Sequence, residues 1–147
     1  MQTFLPYACY YHSAHVLDRP RLGKQRSETI TLIRGGWPHH LASKMWQGHL
    51  HHLCLYNLAI CEVWQDYGYA DTVYDKTLIE IGKHEDTGPP WWVGWEPLHS
   101  SHRAALKFKD PNYYHQRRTG WVEPAVYDYA WPDPARPGQL LKERQHA

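Results

Sequence analysis

The sequence predicts an all-α fold: one compact helical domain over residues 1–132 with an aromatic Pro/Gly-rich loop, and a loose polar tail over residues 133–147. Three observations carry this. Apolar residues recur at spacings of three and four from Leu41 to Tyr67, the period of a helix that buries one face. Helix punctuation is strong elsewhere, and no stretch alternates as a half-buried strand does. The 147 residues, 42% of them hydrophobic, suit one domain with one core.

The elements follow in order. Ser13 to Asp18 reads as a lead-in that ends in a cap; Asp18 is a good N-cap, Pro20 sits in the first turn, and Gly35-Gly36 stop the helix. Pro38 opens the long amphipathic stretch, which ends before Gly68 and which Gly48 is placed to divide. Asp71 or Thr72 begins a shorter helix that runs to about His84. GPPWWVGWEP, Gly88 to Pro97, is too rich in Pro and Gly for helix and reads as a rigid loop. LHSSHRAALKFKD follows as a basic helix, DPNYYHQRR adds a turn, and the proline-rich end reads as a tail.

Within the first helix, RLGKQRSE (Arg21 to Glu28) concentrates three cations and one carboxylate in a chain whose formal net charge is +1. At about 100° per residue, Arg21, Lys24, Gln25 and Glu28 share one face, and Lys24 and Glu28 stand i, i+4. Leu22, Ile30 and Ile33 gather on the other face with Arg26 among them, and a guanidinium there requires an anion. A salt-bridged solvent face is the plain reading of the first group. Arg26 argues for more.

Charge is segregated. Arg19 to Arg34 carries five cations against Glu28, His102 to Arg118 five against Asp110, and Glu62 to Asp86 seven acids against two lysines. Two basic segments folded onto one side would make a phosphate-binding surface. On that expectation His99, His102, Arg103 and Lys107 of the second basic helix join Arg21, Arg26 and Gln25 on a surface that meets the phosphates and bases of a nucleic acid. Eight Trp and eleven Tyr against two Phe supply rings suited to cores and to stacking on bases; Trp91, Trp92 and Trp95 are the candidates in the loop.

Other classes fit less well. No stretch approaches 18 apolar residues, so no membrane partner is expected, and the start lacks the form of a secretory signal. Cys9, Cys54 and Cys61 lack framework spacing and read as reduced thiols of a cytoplasmic protein. Twelve histidines invite a metal, but no CxxC or HExxH is present, and no metal or cofactor is expected.

MQTFLPY, LDRPRLGKQRSE, GGWPHH, KMWQGH, PPWW, LHSSHR and KDPNYY together resemble a bacterial and phage group placed with the pyrimidine dimer DNA glycosylases of the endonuclease V type. The resemblance runs from Met1 to about Pro132; against the founding phage enzyme it narrows to Arg21-Leu22 and Glu28 of the first helix. It implies a helical fold without cofactor, an N-terminal α-amine that attacks C1′ of the damaged nucleoside, an essential helix glutamate, and arginines on the phosphates. Glu28 takes the carboxylate role, Arg21 and Arg26 the phosphate role. The partner implied is double-stranded DNA with an altered pyrimidine, met by a monomer. One departure matters: the founding enzyme exposes a threonine amine after losing its initiator Met, whereas Gln2 is too large for that removal. The nucleophile is then the Met1 amine or Lys24, or the lyase step is absent. An α-amine has the lower ordinary pKa, which favours Met1. The rivals are a non-catalytic nucleic-acid binder of the same fold and, behind it, a His-ligated metal hydrolase.

Overall fold

Asp18 starts the helix on which the site is built. In the computed structural model of the protein, which describes residues 1–142, its carboxylate accepts from the Arg21 N–H at 3.3 Å, and α2 runs Arg19–Ile33 with Pro20 in its first turn. Upstream, α1 (Tyr10–Val16) occupies the stretch read as a lead-in; its seven residues bury only Ser13, Ala14 and Val16, too few to write a helical period.

The long amphipathic stretch is two helices. α3 (Leu41–Met45) ends in a turn at Gly48, whose φ of 84° is costly for any side chain, and α4 (Leu50–Asp66) resumes beyond it. α4 is the central helix, packed against α1, α2 and α5 (Val73–Ile81). Its approach to α2 is close at Gly23, where an added Cβ would stand 2.9 Å from the Trp64 ring. α6 (Glu96–Lys109) and the single turn α7 (Gln116–Thr119) follow. Leu22, Trp46, Leu53, Tyr56, Ile60 and Leu106 form the middle of the core.

The aromatic loop is a brace. Trp92 is fully buried edge-on to Trp46, with 4.6 Å between ring centroids, and donates to the Met45 carbonyl; Trp91 donates to the Asp133 carbonyl and meets Trp95 at 5.1 Å. The chain after α6 adds one feature without a sequence signal: Trp131–Pro132 (β1) pairs antiparallel with Leu140–Lys142 (β2), and Leu141 packs on the core. Two strands this short show no alternation to read. The end of the expected tail, residues 143–147, lies outside the described residues.

Among the described residues no helix is long and apolar enough to cross a membrane, and no group of three or more His, Cys, Asp or Glu is arranged to hold a metal ion.

Candidate active site

The N-terminal segment, residues 1–6, is held by side chains from α2, α4 and α6 and by Trp46. Trp46 Nε1 donates to Thr3 Oγ1 at 2.9 Å. The Phe4 N–H donates to Gln25 Oε1 at 2.8 Å, and the Phe4 carbonyl accepts from Gln25 Nε2 and from the Tyr56 hydroxyl. The Leu5 N–H donates to His102 Nδ1 at 2.8 Å, His99 Nδ1 lies 2.8 Å from the Leu5 carbonyl, and Arg103 donates to the Pro6 carbonyl at 2.8 Å. Phe4 and Leu5 are buried. This segment has no secondary structure of its own, so side chains satisfy its backbone groups.

The grip delivers Met1 to a cleft of about 350 Å3. One wall is the polar face of α2, with Arg21, Lys24, Gln25 and Glu28; the other is Lys109 of α6 with Tyr127 and Tyr129. Arg21 is steadied by the Asp18 carboxylate at 3.2 Å, which also accepts from the Tyr114 hydroxyl. Lys24 Nζ lies 3.6 Å from Glu28 Oε1, with Lys24 mostly exposed and the Glu28 side chain only 20% exposed. The Lys109 ammonium sits 4.8 Å from the Tyr127 ring centroid; burial lowers its pKa, and Arg21 and Lys24 lower it further. Three cations thus line one cleft together with the Glu28 carboxylate, an arrangement suited to the phosphates flanking a nucleotide.

A second cleft, of about 460 Å3, lies across Met1, Tyr127 and Tyr129 and brings in His40 and Trp131. Burial lowers the His40 pKa, the Met1 amine lowers it further, and Glu28 pulls the other way, so the imidazole feels both charges. Gln2, 7% exposed, holds the Thr3 N–H with Oε1 at 2.9 Å, and its Nε2 is buried at the first cleft without a hydrogen-bond partner.

The structure brings some of the sequence-predicted site residues into one cleft and places others elsewhere. Met1, Arg21, Lys24 and Glu28 come together. Gln25 joins them but is 3% exposed and spends its amide on Phe4, holding the N-terminal segment rather than DNA. Arg26 faces away: its guanidinium pairs with Asp71, whose side chain is 1% exposed, and lies 4.9 Å from the Trp64 ring centroid. The anion that its place on the apolar face demanded is internal.

The second basic helix is corrected more strongly. His99 and His102 are buried latches on Leu5, and burial pushes the His102 pKa down to about 3, so it is a neutral acceptor. Arg103 pairs with Glu96 and Glu123, and Lys107 donates to the Trp121 and Glu123 carbonyls at 3.0 and 2.6 Å. None of these four lines the cleft; Lys109, two residues further along α6, does. Trp91, Trp92 and Trp95 do not line it either. Sequence reasoning missed Lys109, Tyr127, Tyr129 and His40. Lys109 was inside a recognised basic segment. The Pro38-His39-His40 turn ahead of a helix was the available signal for His40.

The family model described as pyrimidine dimer DNA glycosylase matches residues 1–77. That span carries Met1, the α2 face and His40; Lys109, Tyr127 and Tyr129 lie beyond it. No curated protein and no solved structure matches the chain.

Proposed function

The chain belongs to the pyrimidine dimer DNA glycosylase family, and on that premise we propose that it excises an altered pyrimidine from double-stranded DNA through the Met1 amine, with abasic-site lyase activity following. The observation that carries this reading is that Met1 and Glu28 line one cleft, with Arg21, Lys24 and Lys109 around them.

The reaction begins with the Met1 nitrogen. Its lone pair bonds to C1′ while the C1′–N1 bond breaks and its electron pair leaves with the pyrimidine, which takes a proton from water. Positive charge builds on C1′ and O4′ in between, and the Glu28 carboxylate stabilises it. The nitrogen then loses a proton to water, its restored lone pair opens the C1′–O4′ bond, O4′ gains a proton and the nitrogen becomes a protonated imine. Removal of a C2′ proton by Glu28 sends electrons toward C3′ and expels the 3′ phosphate, nicking the strand. Hydrolysis of the imine frees Met1.

Three properties favour the Met1 amine over a lysine. An α-amine has an ordinary pKa of about 7.7–8.0 against about 10.4 for lysine, so more of it is neutral at pH 7. Lys24 stands with most of its side chain in solvent and its ammonium toward Glu28. The N-terminal segment is held by Thr3, Phe4, Leu5 and Pro6, which fixes the amine before substrate arrives.

The target base must leave the helix stack to expose C1′. Tyr127, half exposed at the rim, is suited to stack on the displaced nucleotide. Arg21, Lys24 and Lys109 neutralise the flanking phosphates, and affinity should fall with added salt.

The test is Glu28→Gln on a panel of duplexes, each with one altered pyrimidine. Single-turnover excision should fall by at least about 100-fold, in the range of losing one electrostatic stabiliser. Affinity for the duplex should change little. A mutant that excises like wild type ends the assignment of Glu28.

A further inference from the structure

His40 is fixed in a way that the reaction above leaves unused. Its Nδ1 accepts from the Ala42 N–H at 3.0 Å, capping α3. A ring nitrogen that accepts carries no proton, so the neutral ring carries its N–H on Nε2. The ring stands edge-on to Trp131, with 6.1 Å between centroids, and half-buried. Among the described residues no hydrogen bond occupies Nε2. His40 lines the second cleft beside Met1, so the edge left free is the edge available to a substrate there.

Protonation would put a proton on Nδ1 and break the cap to Ala42, while burial and the Met1 amine oppose the charge as well. His40 is thus a neutral donor at neutral pH. A neutral donor does not repel the Met1 amine and does not compete with it for protons.

The atom to which such a donor belongs follows from the chemistry. Once the Met1 nitrogen is bonded to C1′, the nearest atom that gains negative charge is O4′, attached to the same carbon. Opening the C1′–O4′ bond leaves the electron pair on O4′, where a hydrogen bond is worth more than in the ground state. Resting on the reading of Met1 as nucleophile, we propose that His40 donates its Nε2–H to O4′ as the sugar ring opens, making it a catalytic residue for imine formation. The alkylated nitrogen first gives up a proton to water; its restored lone pair forms the C=N bond as the bond to O4′ breaks, His40 stabilises the pair left on O4′, and water completes the protonation of O4′. His40 begins and ends neutral. On a duplex that already carries an abasic site, the same donor polarises the O atom that was O4′ or the C1′ aldehyde oxygen.

The role separates two readouts. Base release depends on attack at C1′ and on Glu28, and ring opening comes after it. His40→Asn keeps an N-cap side chain for Ala42, since Asn is among the strongest caps, but is too short to present the same donor. His40→Ser tests the same point with a different cap. Wild type and both variants would be followed under single turnover on a duplex with an altered pyrimidine, measuring released base and borohydride-trapped adduct in one reaction. A duplex with a preformed abasic site gives trapping alone, and thermal melting reports folding. The expected result is a fall of about 100-fold in the ratio of trapped adduct to released base, the loss typical of one oxyanion donor. Trapping on the abasic duplex should fall by a like factor, with the melting temperature close to wild type.

A ratio equal to wild type in folded variants overturns the role. So does a parallel loss of release and trapping, which would make His40 a support for Met1. Wild type that releases base without any trapped adduct removes the ring-opening step and the inference with it, leaving excision in place. Wild type that releases no base from any duplex overturns the proposed function itself, together with what rests on it.

Discussion

Gln2→Ser makes the second residue small enough for the initiator methionine to be removed. The free amine then belongs to the new N-terminal serine. Consecutive Cα atoms are about 3.8 Å apart, so the amine starts about that far from its present position. Sliding the chain forward by one residue would restore it only by breaking the contacts at Thr3, Phe4, Leu5 and Pro6 together. Four contacts at about 1 kcal/mol each outweigh any single bond regained. Misplacement by about 1 Å can cost about 100-fold, so imine formation should fall by at least that factor. Gln2→Asn is the control: it loses the Gln2 contact to the Thr3 N–H but keeps Met1. Intact mass spectrometry confirms which proteins retain methionine, and borohydride trapping on an abasic duplex gives the rates. A methionine-free variant that traps at the wild-type rate would refute the claim that the gripped segment sets the position of the amine.

Arg26→Ala should destabilise the fold by about 3 kcal/mol, because it strips the buried Asp71 of its cation, while duplex affinity stays near wild type; urea unfolding and DNA titration check the two halves. Arg21→Ala should weaken DNA binding and make the slope of log affinity against log salt shallower by about 0.9, read from titrations at several salt concentrations. His102 gives a pH dependence of stability. Its folded pKa of about 3 lies below the ordinary 6.5, so the unfolded state binds the extra proton between those values. The stability is therefore complete above pH 6.5 and falls as pH drops toward 3, by about 1.36 kcal/mol per unit from this group. His102→Asn, which keeps an acceptor for Leu5 without titrating, should flatten that slope in denaturant melts at pH 4 to 7.

The legible part of the molecule is local in sequence. Asp18, Pro20 and the glycines after Ile33 write the limits of α2, and its face of Arg21, Lys24 and Glu28 follows from spacing alone. Phe4 and Leu5, adjacent apolar residues near the chain start, are buried in the core. What sequence could not express is pairing at a distance. Arg26 finds Asp71 45 residues away. His99 and His102 look like a basic helix start until Leu5, 94 and 97 residues away, is seen to occupy both rings. A histidine beside an arginine reads the same whether it faces DNA or a backbone group. Lys107 and Lys109 differ by two positions, about 200° around the helix, and only the packing of α6 decides which one reaches the cleft.

The central claim is that the amine of Met1 is the group that bonds to the sugar. The most direct measurement is borohydride trapping of the wild-type protein on a duplex with an altered pyrimidine, followed by peptide mass spectrometry of the adduct. The account predicts a single modified peptide carrying the sugar fragment on the Met1 nitrogen, and no adduct in a protein whose amine has been blocked. An adduct on Lys24 or on Lys109, the other amines at the cleft, would contradict it.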